Sequence, residues 1–82
     1  MDSSIGDWIR AWFERRNPGT KISDKLNFYQ EGYVDSFGII ELIEAIEDHF
    51  SIRFEDGDFK MPSFRTITGV SALVEQRKER RG

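Results

Sequence analysis

The sequence predicts an all-α fold, a small bundle of three long helices plus a short helix, with a long loop between the first and second helices. Three segments repeat their apolar residues with the 3.6-residue period of a helix, and no segment alternates long enough to make a sheet. The chain has 82 residues, 38% of them hydrophobic and 13% aromatic, which is enough for one small core. We therefore expect a single domain over residues 1–82 that is a monomer.

The first helix is predicted from apolar residues that recur at intervals of three and four, which are Ile5, Trp8, Ile9, Trp12 and Phe13. Ser3 or Ser4 can cap its start. Asn17-Pro18-Gly19 should end it near Arg16, because proline lacks a backbone donor and restricts the residue before it. The first helix should therefore span most of residues 4–16.

The segment from the end of this helix to Tyr33 has no apolar period. Long irregular loops are uncommon in compact domains unless their own side chains hold them down. We therefore expect Leu26, Phe28 and Tyr33 to pin this loop to the core.

The second helix should begin around Asp35-Ser36 and run to about Phe50. Its core-facing arc of roughly 100° holds Ile39, Leu42, Ile43, Ile46 and Phe50. The opposite face gathers four carboxylates and two apolar residues, which are Glu41, Glu44, Glu47, Asp48, Phe37 and Ile40. Residues 31–50 hold six acidic side chains and no Lys or Arg, in a chain with a net charge of −3. Apolar residues among carboxylates indicate a surface that docks a partner.

A short helical turn is expected around residues 58–60, after the turn-like Asp56-Gly57. Thr66 can then cap a last helix, whose buried stripe is Ile67, Val70, Leu73 and Val74. The charged tail should fray from about residue 77 to residue 82. These elements complete the predicted bundle.

Composition excludes several classes of function. The chain has no Cys, which removes disulfides, thiolate metal sites and a cysteine nucleophile. The basic tail lacks the aromatic residues of a nucleic-acid-binding face, so we expect no nucleic-acid partner. No segment approaches the ~20 apolar residues of a membrane span, and the N-terminus does not resemble a secretory signal. We expect no membrane contact and a cytoplasmic location.

The sequence also gives little support for catalysis or for metal binding. His49 is the only histidine, and we interpret it as a half-buried surface residue. The Asp56-Gly57-Asp58 sequence lacks the alternating oxygen ligands and terminal Glu of a calcium loop, so a plain turn is favoured. We therefore predict no metal site and no enzymatic activity.

Ser36 stands at the first turn of the second helix, behind Asp35 and before Phe37 and Gly38. In one interpretation Asp35 caps the helix and Ser36 is a routine first-turn residue. That interpretation does not explain why Phe37 and Ile40 lie on the outer face of the helix. It also leaves Gly38 unexplained, because glycine costs about 0.5–1 kcal/mol relative to alanine inside a helix. A docking surface would explain both.

Residues 28–50, then Ile52 and Phe54, and finally residues 64–67 resemble the carrier-protein family, the acyl and peptidyl carriers that bear a 4'-phosphopantetheine arm on a serine. The resemblance rests on Gly32 before the Asp-Ser-Phe motif, Glu41-Leu42 five places after Ser36, and the Glu-Asp-x-Phe end of the predicted helix. Several motifs at matching spacing make this a strong signal, whereas an isolated Asp-Ser-Phe would be weak.

The resemblance implies a role for particular residues. The modified serine falls on Ser36 and receives its arm from coenzyme A, while the aspartate recognised by the phosphopantetheinyl transferase falls on Asp35. Phe37 stands where the family usually has Leu, at a position that partner enzymes contact. The arm's terminal thiol would supply the thioester that a cysteine-free chain cannot form. The resemblance and the charge pattern together assign a partner-binding face to Phe37, Ile40, Glu41, Glu44, Glu47 and Asp48.

The expected partners are the transferase, an acyl- or aminoacyl-loading ligase, and a downstream acyltransferase or synthase. Asp35-Ser36-Phe37-Gly38 looks most like discrete D-alanyl and aminoacyl carriers, and Glu44 replaces the apolar residue that fatty-acid carriers often have. The cargo and the pathway, whether fatty acid, polyketide, peptide or D-alanylation, stay open at this point.

Two alternatives compete with a carrier. The first is a cofactor-free interaction module whose acidic helix docks a basic partner, with Ser36 as a cap or a phosphorylation site. The second is a small hydrolase with Ser36 as its nucleophile, which is disfavoured because no helical register brings a base near Ser36.

Overall fold

The computed structural model describes residues 4–81, with side chains described through residue 79. It contains three α-helices, α1 (Ser4–Arg16), α2 (Ser36–Phe50) and α3 (Ile67–Arg81). Two 3₁₀ helices, Asp56–Lys60 and Pro62–Arg65, connect α2 to α3, and no strand occurs within residues 4–81. The all-α prediction is confirmed. The predicted short helix is the first 3₁₀ helix, and no local pattern predicted the second.

The predicted apolar stripes form the core. The buried residues of α1 and α3 are Ile5, Ile9, Trp12, Phe13, Ile67, Val70, Leu73 and Val74, and these two helices pack against each other. In α2, Leu42 and Ile46 are fully buried, whereas Ile39, Ile43 and Phe50 are half-buried against this core. Trp8 of α1 is also only half-buried. The helical period therefore identified the inward faces correctly.

The loop between α1 and α2 is held by buried side chains, as expected. Phe28 has no exposed surface, and Leu26 and Tyr33 are half-buried. Ile22 and Val34 are more deeply buried than Leu26 or Tyr33. They escaped prediction because an irregular segment gives no period from which burial can be inferred.

Two backbone hydrogen bonds attach the same loop to the start of α3. The Phe28 N–H donates to the Arg65 carbonyl at 3.0 Å, and the Thr68 N–H donates to the Asp24 carbonyl at 3.0 Å. Backbone groups in a loop need such partners when they are removed from water. The loop therefore reaches α2 from a position fixed by α3.

The start of α3 is capped and tightly packed. Thr66 Oγ1 accepts from the Gly69 N–H at 3.0 Å, which confirms the predicted cap. A Cβ on Gly69 would lie 1.8 Å from the carbonyl oxygen of Ser63. Only glycine fits there, because the obstacle is backbone and cannot rotate away.

The expected fraying of the tail from about residue 77 is wrong at Arg77. Its side chain is buried, and it donates to Asp58 Oδ1 at 2.5 Å, Asp58 Oδ2 at 3.1 Å and Glu55 Oε2 at 3.1 Å. Helix α3 continues to Arg81. The cause is an ion pair between residues 19 apart, which a local pattern does not reveal. Ser3, the alternative cap of α1, and Gly82 lie outside the described residues.

The three α-helices are shorter than a membrane-spanning helix. The longest have 15 residues, whereas a spanning helix needs about 20 apolar residues. Within the described residues, no helix is long and apolar enough to cross a membrane. The cytoplasmic location stays a prediction.

Candidate functional site

The start of α2 is fixed by Asp35. Its backbone is extended, and its Oδ1 accepts from the Gly38 N–H at 2.7 Å. Its carbonyl accepts the first helical hydrogen bond, from the Ile39 N–H at 2.9 Å. Asp35 is therefore the predicted N-cap, and Ser36 is the first residue of the helix. The second carboxylate oxygen, Oδ2, has no hydrogen-bond partner among the described residues.

Ser36 is exposed at this helix end. The N–H groups of Ser36 and Phe37 come before the first helical hydrogen bond, so they have no acceptor within the helix. Together with the helix dipole they make the surroundings of Ser36 electropositive. A group attached to Ser36 Oγ would extend into solvent without disturbing the core, and a negative charge on it would be stabilised.

A hydrolytic role for Ser36 is not supported by the position of His49. This histidine lies in the last turn of α2 and stacks on Trp8 with ring centroids 4.7 Å apart. It lies thirteen positions after Ser36 in the same helix, which is about 20 Å at a rise of 1.5 Å per residue. A general base must lie within hydrogen-bond reach of its nucleophile, so His49 cannot serve Ser36. The prediction that His49 is half-buried is wrong, because the residue is exposed.

Gly38 is required by local packing, which the sequence did not reveal. It is buried, and a Cβ at this position would lie 2.6 Å from Val34 Cγ2 and 3.2 Å from Asp35 Oδ1. The glycine lets the start of α2 pack on Val34 while Asp35 keeps its capping bond. A docking surface is therefore the wrong explanation for Gly38, and only the outward apolar pair still calls for one.

Phe37 and Ile40 are that pair, with 79% and 53% of their surfaces exposed. The other six phenylalanines each contact another aromatic ring, namely Phe13, Phe28, Phe50, Phe54, Phe59 and Phe64. Phe37 has no such neighbour in the described part of the chain. Complete burial of a phenylalanine side chain is worth about 1.5–3 kcal/mol, so Phe37 offers unused binding energy to a partner.

The four carboxylates of the outer face are not equivalent. Glu44 and Asp48 are exposed, and neither forms an ion pair within residues 4–79. Glu41 is exposed but pairs with Arg16 at 3.4 Å. Glu47 is half-buried, and its Oε2 accepts from the Phe54 N–H at 2.9 Å. The structure thus brings Phe37, Ile40, Glu41, Glu44 and Asp48 to one exposed face and turns Glu47 partly toward the interior. The binding role of these residues stays a prediction.

Arg16 was missed by the sequence analysis. Its guanidinium lies 4.6 Å from the centroid of the Trp12 ring and reaches Glu41, which is 25 residues away. The Pro-Gly turn after α1 hinted that the helix ends here, but nothing local placed its last residue beside α2. An exposed pair of this kind contributes about 0–1 kcal/mol, so a partner could displace Arg16 from Glu41.

Comparison with known proteins is consistent with this geometry. The family described as "Phosphopantetheine attachment site" matches residues 8–74. The D-alanyl carrier protein of Bacillus licheniformis is 31% identical over 61 residues, which cover 74% of each chain. The aminoacyl carrier protein of Agrobacterium fabrum is 27% identical over 75 residues, which cover 92% of this chain and 89% of the relative. No solved structure matches at a comparable level of significance.

The residues at the start of α2 fit the cofactor of this family. A serine hydroxyl is exposed, the neighbouring N–H groups favour an anion, and the Phe37 and Ile40 side chains that follow are exposed. The match spans all of α2 and most of the described chain. The chain belongs to the phosphopantetheine attachment-site family, whose members are carriers of a covalently bound 4'-phosphopantetheine group and are not enzymes.

Proposed function

We propose that this chain is a discrete carrier protein that holds acyl or aminoacyl groups as thioesters on a 4'-phosphopantetheine arm attached to Ser36. The observation that carries the proposal is the exposed Ser36 at the Asp35-capped start of α2, beside the unpacked Phe37. The arm brings a terminal thiol, and hence thioester chemistry, to a chain without cysteine. The relatives named as D-alanyl and aminoacyl carriers favour an aminoacyl cargo.

In this proposal the chain's own residues position the attachment point and bind partners. Asp35 fixes the first turn of α2 through the Gly38 N–H. The free N–H groups of Ser36 and Phe37 then stabilise the negative charge of a phosphodiester at Ser36 Oγ. The hydrogen bond that Asp35 Oδ1 accepts from the Gly38 N–H also holds these donors in place, so no reorganisation is needed when the ester forms.

The partners in this proposal are a phosphopantetheinyl transferase, an acyl- or aminoacyl-loading ligase and a downstream acyltransferase or synthase. Each would present a basic, partly apolar patch to the outer face of α2. The unpaired Glu44 and Asp48 would set the rate of encounter, because long-range charge mainly changes association. Phe37 and Ile40 would set the lifetime of the complex, because short-range burial mainly changes dissociation.

The test uses a phosphopantetheinyl transferase, coenzyme A and intact-mass measurement. The expected result is one added arm on the wild-type chain and none on Ser36→Ala. Ser63→Ala is the matched control, because Ser63 is also exposed near the start of a helical segment, and it should gain the arm normally. If several transferases fail to modify the wild-type chain, or if Ser36→Ala is still modified, the proposal fails.

The cofactor-free interaction module considered from the sequence is not retained. The family match is to a phosphopantetheine attachment site, and it covers Ser36. The acidic face that motivated that alternative is kept in the carrier proposal as the surface that meets partner enzymes.

A further inference from the structure

Three aromatic rings of the connection between α2 and α3 pack against one another. The Phe54 and Phe59 centroids are 5.9 Å apart, those of Phe54 and Phe64 are 5.5 Å apart, and those of Phe59 and Phe64 are 5.3 Å apart. All three pairs meet edge to face, at 70–89°, which is a favoured geometry for aromatic contacts. We call this set the Phe54 triad. An apolar chain entering the bundle through this connection would have to displace the triad.

Two polar contacts fix the triad in place. The Phe54 N–H donates to Glu47 Oε2 of α2 at 2.9 Å, which ties the first ring to that helix. Asp58, next to Phe59, is held by the buried Arg77 of α3 at 2.5 and 3.1 Å. Breaking a buried ion pair is costly because it leaves an uncompensated charge. Movement of the 3₁₀ connection away from α3 would therefore carry a large penalty.

Backbone packing closes the same region from the other side. The α carbon of Gly69 approaches Ser63 so closely that a Cβ would meet its carbonyl oxygen at 1.8 Å. The second 3₁₀ helix thus rests directly on the first turn of α3. Opening a path into the core here would require separating backbone from backbone.

The clefts near this region are unsuited to an alkyl chain. Six of the eight residues lining the larger cleft are charged, namely Glu44, Glu47, Asp48, Arg53, Glu55 and Arg77. Four of the seven residues lining the second are charged, including Asp58 and Arg77. An apolar chain lying in the larger cleft would remove Glu44 and Asp48, which form no ion pair within residues 4–79, from water without giving them partners, which is unfavourable.

We propose that the cargo of this carrier stays outside the helical bundle, and that the class of cargo it fits is a short, polar acyl group such as an aminoacyl group. This inference rests on the proposed function. A long alkyl chain left outside would collapse onto the exposed apolar pair, Phe37 and Ile40, and would cover the surface that partners need. A short aminoacyl group leaves that pair free, and its positive amino group suits the unpaired Glu44 and Asp48.

The test exploits the absence of cysteine, since Ser36→Cys creates a single thiol. This thiol is alkylated with reagents that share one linker and end in an aminoacyl, butyl, octyl or dodecyl group. Melting temperature and backbone amide NMR shifts are measured for each product. Because the attachment is chemical, the experiment gives an answer even if no transferase modifies Ser36. Failure of the proposed function and failure of this inference therefore appear in different measurements.

The matched variants are Phe59→Ala, which removes the exposed ring of the triad, and Phe37→Ala, which removes an exposed ring outside it. Phe59→Leu replaces the alanine variant if that variant loses its helical circular dichroism. Each variant is combined with Ser36→Cys and carries the same series of reagents. Only the Phe59 variant should admit a chain into the bundle.

For the wild-type core, shift changes should stay on the outer face of α2 around Phe37 and Ile40, and the melting temperature should rise far less with chain length than in the Phe59 variant. The Phe37 variant should lose most of even this small rise. The Phe59 variant should instead gain stability with each longer chain and show shifts at buried residues such as Leu42 and Val70. A steady rise in melting temperature with chain length in the wild-type core, with shifts at those buried amides, would overturn the inference. A Phe59 variant that shows no length dependence would overturn the assignment of the Phe54 triad as the closing element.

Discussion

Asp35 combines a structural and a proposed recognition role, and two substitutions separate them. Oδ1 caps α2 through the Gly38 N–H at 2.7 Å, whereas Oδ2 has no partner within the described residues. Asp35→Ala removes both oxygens. Asp35→Asn keeps an oxygen that caps equally well but removes the negative charge. A transferase that recognises the carboxylate should therefore modify both variants more slowly. Helix stability, in contrast, should fall mainly in Asp35→Ala.

The magnitudes follow from the capping bond and the helix dipole. Asp35→Asn loses only the favourable dipole interaction, about 0.3–1 kcal/mol. Asp35→Ala loses the capping bond, typically about 1 kcal/mol and up to about 2 kcal/mol. For a chain of this size, 1 kcal/mol lowers the melting temperature by roughly 4–8 °C. The alanine variant should therefore melt clearly below the asparagine variant.

The modification rates of the two variants should fall by similar factors, unlike their melting temperatures. A hydrogen bond to a charged group contributes about 1.5–3 kcal/mol, so both variants should lose about 10- to 100-fold in the transferase's kcat/KM. The assay measures arm addition by mass at a temperature where both variants are folded. If Asp35→Asn is modified at the wild-type rate while Asp35→Ala is slow, Asp35 acts only as a cap and the recognition role is refuted.

Four further predictions concern substitutions of single residues. Gly69→Ala should lose at least 1–3 kcal/mol of unfolding free energy because its Cβ overlaps backbone, whereas Gly57→Ala, with nothing within 4 Å, should stay close to wild type in urea unfolding. Ser51→Gly should gain about 0.5–1 kcal/mol in the same assay, because Ser51 has a left-handed φ of 56°. Glu44→Lys should slow loading-enzyme association in stopped flow and weaken its salt dependence. Phe37→Ala should speed dissociation and leave the salt dependence unchanged, and unaltered kinetics in both would place docking elsewhere.

Much of the fold could be predicted because its signals are local. Helix stripes such as Ile67, Val70 and Val74 repeat within a few residues, and the caps at Asp35 and Thr66 act on N–H groups three residues away. The proposed attachment point is local in the same sense, since a capped helix end and its first residue are adjacent in sequence.

What escaped prediction depends on contacts between distant residues. Gly38 is a glycine because Val34 lies against it, and Arg77 is ordered because Asp58 lies 19 residues before it. Glu47 was assigned to the outer face by its helical angle, yet it accepts from the Phe54 N–H after the chain has turned back. Periodicity gives the direction of a side chain but does not show which later segment will meet it.

The proposal of a Ser36-linked carrier is tested most directly by the mass of the protein isolated from its own host, followed by fragmentation to locate any added group. We expect an added 4'-phosphopantetheine arm on Ser36, with a fraction of the molecules carrying one further small acyl or aminoacyl group in thioester linkage. Treatment with hydroxylamine should remove that small group and leave the arm. An unmodified chain, or an arm attached to any residue other than Ser36, would contradict the account.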